Sequence, residues 1–313
     1  MNDELATGGT PRPAAPFSVL AAPSGAWSQL HWFCGSSKMS FGARELRLLI
    51  GIASIVLASS VQAQTPSSEL VQVQTRRVEI KVDGVGDPTV IFESGFAGGL
   101  PLWTPAQDRV SKITRTLSYE RAGLGQSDPG PEPRSAGQIA RELHALLAAR
   151  DIAPPYVLVG HSAGGLFVRV FAHLYPREIV GLVLVDPATE DDYERLLTEK
   201  SVEDLRAMGA PAALIGQWLA LPETIDEARH SWPLPHVPTV VLTSGKPLGA
   251  WPLATAQDMQ RWQDSHNQFA KKIPDSRHVL LQDANHMTIL KEDAVAEQIL
   301  ETVAAARRHR NIK

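Results

Sequence analysis

One ten-residue stretch limits what this chain can fold into more than any other: Tyr156-Val157-Leu158-Val159-Gly160-His161-Ser162-Ala163-Gly164-Gly165. Its opening residues are an apolar run closed by a glycine, which reads as a short buried strand. The apolar positions that follow, Leu166, Phe167, Val170, Phe171 and Leu174, have helical spacing. A chain passing from strand to helix over so few residues needs a turn with no room for bulk on either side, which accounts for Gly160 and Gly164. Ser162 lies between them in a G-x-S-x-G pattern, so such a turn would hold its hydroxyl out at the end of the strand.

Beyond this stretch, strand-like and helix-like segments alternate. The pattern predicts strands at 77–82, 89–93, 113–119, 156–160, 180–185, 238–243 and 278–282. Helical spacing appears over 136–150, 166–175 and 294–308. Alternation of this kind specifies an α/β fold, a mostly parallel central sheet with helices on both faces. Between the strands at 180–185 and 238–243 lie roughly fifty residues of mostly helical character, far more than an ordinary connection. An insertion at about 187–237 is expected to form a small helical lid over the carboxyl ends of the strands, where open α/β sheets bind ligands.

The chemistry available is narrowed by what the residues do not form. A formal charge of −4 with scattered Lys and Arg gives no basic stripe for nucleic acid. No H-E-x-x-H occurs, and Cys34 is the only cysteine, so no metal site is expected. Gly84-Val85-Gly86 and Gly123-Leu124-Gly125 each lack the third glycine of a dinucleotide fingerprint, so no cofactor is expected either.

The first residues carry a different kind of signal. Residues 1–38, rich in Pro, Gly, Ala and Ser, read as a disordered upstream extension. Residues 39–63 then run through a basic region with Arg44 and Arg47, an apolar core at 48–57 and the small-residue exit Val61-Gln62-Ala63. That order is a signal peptide, its apolar run being too short for a span of about 20 residues. The expectation is a secreted or periplasmic chain beginning near Gln64, with no stable membrane insertion after cleavage and with translation from Met1 or from Met39. An uncleaved N-terminal anchor is the competing reading.

Five motifs fall in order along the chain: Ser94-Gly95-Phe96, Glu120-Arg121-Ala122-Gly123-Leu124-Gly125-Gln126-Ser127, Gly160-His161-Ser162-Ala163-Gly164, Val185-Asp186-Pro187 and Asn285-His286. Together they resemble the α/β-hydrolase superfamily over roughly residues 75–310, so residues 64–313 are read as one α/β-hydrolase domain with its lid at about 187–237. The resemblance implies that Ser162 is the nucleophile, that His286 is its base, and that the backbone N–H groups of Ala163 and Phe96 stabilise an oxyanion. His161, the variable residue of the motif, is expected only to pack. Many members carry the acid after the strand that here is 238–243, but Ser244-Gly245-Lys246-Pro247 holds no carboxylate. Asp186 is favoured instead, with Asp258 and Asp264 as alternatives and Asp283 as a loop cap. Ser94 stands where relatives often have His, and Glu120 where they usually have Asp. The octapeptide from Glu120 is expected as a fold marker packed beneath the site.

A serine nucleophile argues against the dehalogenase and epoxide-hydrolase relatives, which attack with Asp. The resulting expectation is a serine hydrolase cleaving a small-molecule carboxylic ester through an acyl-enzyme. Leu214, Ile215, Trp218, Leu219, Leu221 and Trp232 make the lid segment apolar enough to receive an acyl or aryl group, or else to fasten it to the core. A lactonase, an aminopeptidase, a perhydrolase, or a hydrolase-like binding protein with little turnover remain alternatives. The aminopeptidase would need lid carboxylates from among Glu190, Asp191, Asp192, Glu203 and Asp204 to hold the substrate amine.

Overall fold

The computed structural model describes residues 68–249 and 252–311. The extension at 1–38, the signal segment at 39–63 and Cys34 lie outside the described residues. Eight strands form one sheet: β1 (Glu69–Val73), β2 (Arg76–Asp83), β3 (Thr89–Glu93), β4 (Thr116–Tyr119), β5 (Tyr156–His161), β6 (Ile179–Val185), β7 (Thr239–Lys246) and β8 (Arg277–Asn285). Their spatial order is β1-β2-β4-β3-β5-β6-β7-β8. β2 is antiparallel to both β1 and β4, and every pairing from β4 across to β8 is parallel.

The central strands are apolar runs because both sheet faces are covered. Along β5, Leu158 points into the core shared with α2 (Ala136–Ala149) and α3 (Gly164–Leu174). Its neighbours Val157 and Val159 point into the opposite core, beneath α1 (Thr104–Val110) and α9 (Asp293–Asn311). β5 therefore sits in the middle of the molecule, and the turn that follows it is supported from every side.

Four helices occupy the segment between β6 and β7: α4 (Glu190–Glu199), α5 (Val202–Ala207), α6 (Ala212–Leu219) and α7 (Leu221–His230). Arg169, fully buried on α3, fastens this group. Its guanidinium donates to both Glu190 oxygens at 3.2 and 2.5 Å and to the Ala228 carbonyl at 3.0 Å. The same group lies 5.0 Å from the ring centres of Trp232 and Phe269.

Some boundaries differ from the sequence expectation. The strand expected at 113–119 starts only at Thr116, because Ile113 and Thr114 still donate N–H bonds to Val110 at the end of α1. β1 was not anticipated: it is a short edge strand, with Leu70 41% exposed, so it carries little hydrophobic patterning. Also unanticipated is α8 (Ala256–Lys271), which is capped by Thr255 with Asp258 at the third helical position in place of the usual Glu or Gln.

Candidate active site

The turn after β5 is built as tightly as its glycines imply. Ser162 has φ of 52°, in the left-handed region that non-glycine residues rarely enter. Its N–H donates to Val185 O at 3.2 Å, while its carbonyl accepts from Gly165 N at 2.9 Å and Ala188 N at 3.0 Å. A Cβ on Gly160 would collide with Gly164 O, and one on Gly164 with Glu93 O. The strained residue is thus held by hydrogen bonds to β6 and the segment after it, and by close backbone contact with β3.

Asp186 directly follows β6, also with a left-handed φ, 46°. Its carboxylate is fully buried and accepts four hydrogen bonds. Ser244 gives its N–H and its hydroxyl, each at 2.8 Å, Trp262 Nε1 gives one at 3.0 Å, and His286 Nδ1 gives one at 2.6 Å. Burial alone would raise the pKa of this carboxyl. The bond and charge of His286, the nearby His266 imidazole and the Ser244 N–H overcome that and hold it well below the usual carboxylate range. Ser244, near the end of β7 and just past the 238–243 strand expected from the sequence, donates to Asp186 where many hydrolases would offer the acid.

His286 follows β8 on a turn tied by Asn285, whose Oδ1 accepts from Met287 N at 3.0 Å and Thr288 N at 2.9 Å. The Trp262 ring stands perpendicular to the imidazole, with centroids 5.6 Å apart. In the neutral imidazole, an Nδ1–H that donates to Asp186 leaves the lone pair on Nε2.

His161 does more than fill space. Its ring lies 4.6 Å from that of His286, and its Nε2 donates to the His286 carbonyl at 3.0 Å. Burial, with a smaller contribution from His286, depresses its pKa to about 3, so it stays neutral. Ala163 and Phe96 are the expected oxyanion donors. Among the described residues, neither N–H donates to a protein acceptor.

The other carboxylates weighed as the acid are elsewhere. Asp258 caps α8 through Thr255, and Asp264 is exposed on the same helix, accepting from Gln260 at 3.0 Å. Asp283 was expected as a loop cap. It instead ends up exposed near the end of β8, in an ion pair with Lys246 at 2.8 Å, because β8 continues through Asn285.

Trp262, Ser244 and Tyr193 were missed as site residues. Tyr193, on α4, is buried, and the Ser162 side chain is among the groups that act on its phenol; burial raises its pKa, keeping it protonated. Trp262 and Tyr193 occupy apolar positions of helical segments, and that pattern cannot separate a core aromatic from one whose polar atom meets the site. Among the described residues no group of His, Cys, Asp and Glu is arranged to hold a metal ion. No described helix is long and apolar enough to cross a membrane.

The family described as alpha/beta hydrolase fold matches residues 88–213. The Bacillus subtilis protein YqjL, itself uncharacterised, is 27% identical over 206 residues, covering 65% of this chain and 78% of YqjL. A Hormonema carpetanum protein named as a probable transporter, efuK, is 38% identical over 135 residues, which span 41% of this chain and only 19% of efuK. The solved structure of a thermophilic esterase from Thermogutta terrifontis superposes with a TM-score of 0.51 at 19% identity, covering 77% of this chain and 99% of the esterase. The sheet order, the glycine-flanked serine turn after β5 and the matched segment converge: this chain is a member of the α/β-hydrolase superfamily.

Proposed function

We propose that this protein is a serine hydrolase that cleaves a carboxylic ester through an acyl-enzyme, with Ser162 as nucleophile, His286 as base and Asp186 as the orienting acid. The observation that carries this reading is the 2.6 Å bond between His286 Nδ1 and a buried, four-fold hydrogen-bonded Asp186 carboxylate. That bond selects the tautomer whose Nε2 can accept the Ser162 proton as Oγ attacks the acyl carbon. The N–H groups of Phe96 and Ala163 then hold the oxyanion, His286 returns the proton to the leaving alcohol, and water repeats the sequence on the acyl-enzyme.

An ester is favoured over an aminoacyl substrate because the lid carboxylates are engaged in pairs and caps or exposed to solvent. Glu190 pairs with Arg169, while Asp192 and Asp204 close capping boxes. The side chains of Asp191 and Glu203 are 93% and 72% exposed. Trp218 meets Phe96 edge-on at 5.9 Å, which sets an apolar wall beside the proposed oxyanion loop. Trp232 instead packs on Arg169 and Phe269 and fastens the lid. The proposal extends to export: cleavage after Ala63 would release the enzyme outside the cytoplasm.

The direct test is labelling with a fluorophosphonate together with hydrolysis of 4-nitrophenyl acetate. Wild-type protein should label on Ser162 and turn over. Ser162→Ala should fold normally, fail to label and lose kcat by a factor on the order of 10⁶. More than a few per cent residual activity in a clean Ser162→Ala preparation would remove Ser162 as nucleophile, and slow or absent labelling of wild type would favour a binding protein.

A further inference from the structure

Arg121 follows β4 and its side chain is buried, only 2% exposed. A buried guanidinium needs acceptors for its donors, and most of those it finds are main-chain carbonyls of a single loop. Nη1 donates to Glu93 Oε1 at 2.6 Å and to Ser94 O at 2.7 Å. Nη2 donates to Gly95 O at 2.6 Å and to Phe96 O at 2.9 Å. Glu93 supplies the compensating charge, its second oxygen accepting from Tyr119 OH. The face of the guanidinium lies 5.2 Å from the ring centre of Phe167, on the helix that begins just after Ser162.

The consequence follows from the geometry of the peptide unit. In a planar trans peptide the C=O of one residue and the N–H of the next point in opposite directions. Drawing Gly95 O onto Arg121 therefore turns the Phe96 N–H away from Arg121. Gly95 presses on the serine turn, since a Cβ added there would lie 3.1 Å from His161 Nδ1 and 3.2 Å from Ser162 Cβ. We infer that Arg121 is the positioning residue of the oxyanion hole, gripping Ser94 O, Gly95 O and Phe96 O so that the Phe96 N–H faces the oxygen of the carbonyl group attacked by Ser162.

This inference rests on the serine-hydrolase reading above. It gives the Arg of Glu120-Arg121-Ala122-Gly123 a task beyond packing: through Phe167 it ties the loop that supplies one oxyanion donor to the helix adjoining the other. Lysine would not substitute, because one ammonium cannot reach four acceptors in a plane as the guanidinium fork does.

The test compares wild type with Arg121→Lys and with the double variant Arg121→Gln/Glu93→Gln, which leaves no buried carboxylate without its cation. The full chain is assayed with 4-nitrophenyl acetate, with phenylboronic acid as a tetrahedral mimic, and by fluorophosphonate labelling. Both variants should lose kcat on the order of 10²-fold, the scale of a misplaced oxyanion donor, with KM nearly unchanged. Boronic acid affinity should fall in parallel, while the unfolding midpoint of at least one variant stays near that of wild type. A residue that only filled the core would lower the midpoint and leave kcat and boronate affinity of the folded fraction within about threefold of wild type, which overturns the assignment. The two ideas fail separately: wild type that neither labels nor turns over removes the nucleophile reading and this inference with it, whereas normal wild type with unchanged variants removes Arg121 alone.

Discussion

At the scale of single residues, Asp186 and His161 both act on His286, and each has a measurable signature. Asp186→Asn keeps the shape but loses the charge that holds the imidazole in its working tautomer. We expect kcat on 4-nitrophenyl acetate to fall on the order of 10⁴-fold. Asp264→Asn should be silent, and Asp258→Asn should cost only about 1 kcal/mol of stability through its cap. Collapse of kcat in either of those, with Asp186→Asn active, would reassign the acid. His161 makes a different prediction because it is buried and neutral, with a folded-state pKa near 3 against an ordinary 6.5. Between those values the unfolded chain binds a proton that the folded chain refuses, so folding stability falls as the pH drops below about 6.5 and continues to fall toward 3. His266, also buried with a lowered pKa, acts with the same sign. In His161→Gln the slope of unfolding free energy between pH 6 and 4, followed by urea titration, should drop by about 1.4 kcal/mol per pH unit, one proton's worth. An unchanged slope would show that His161 is not held neutral.

Among the elements, the join between β5 and α3 bears most directly on function, and packing, not φ, governs it. Gly164 is the first residue of α3, and an added Cβ would meet the Glu93 carbonyl. Gly209 has a left-handed φ of 73° but open space around it. Gly164→Ala should destabilise by about 2–3 kcal/mol through overpacking and lower kcat as the serine shifts. Gly209→Ala should cost about 1 kcal/mol and leave kcat unchanged. Equal urea midpoints for the two would refute the packing account. Elements with strong internal periodicity were legible in the sequence: β5, β6 and α3 lie within one or two residues of expectation. Those missed are β1, an edge strand paired only with the adjacent β2 and mostly exposed, and α8, an amphipathic helix that buries only one face.

For the whole molecule, the proposed route of export gives a prediction independent of catalysis. Expressed from Met39 in a secreting host, the protein should appear outside the cytoplasm with Gln64 as its first residue by N-terminal sequencing. An intact N-terminus on a membrane-bound product would support the anchor, and an intact soluble cytoplasmic product would end the export proposal. Over the same chain, local sequence sufficed for what depends on neighbours: the apolar run, the two glycines and the helical spacing around Ser162 specify a strand, a tight turn and a helix. The α/β alternation likewise specified a mostly parallel sheet, because strand and helix periods are properties of short windows. Which carboxylate meets His286 was open to a preference for Asp186 from the motif order, but short windows left Asp258 and Asp264 in play. Asp186 lies a hundred positions away, and its Ser244 and Trp262 donors come from β7 and α8. Arg121 is of the same kind, an apparent fold marker until the tertiary structure brings its guanidinium against three carbonyls of one loop. Buried polar groups are satisfied by whatever partners the fold delivers, so their roles become visible only once distant segments have packed.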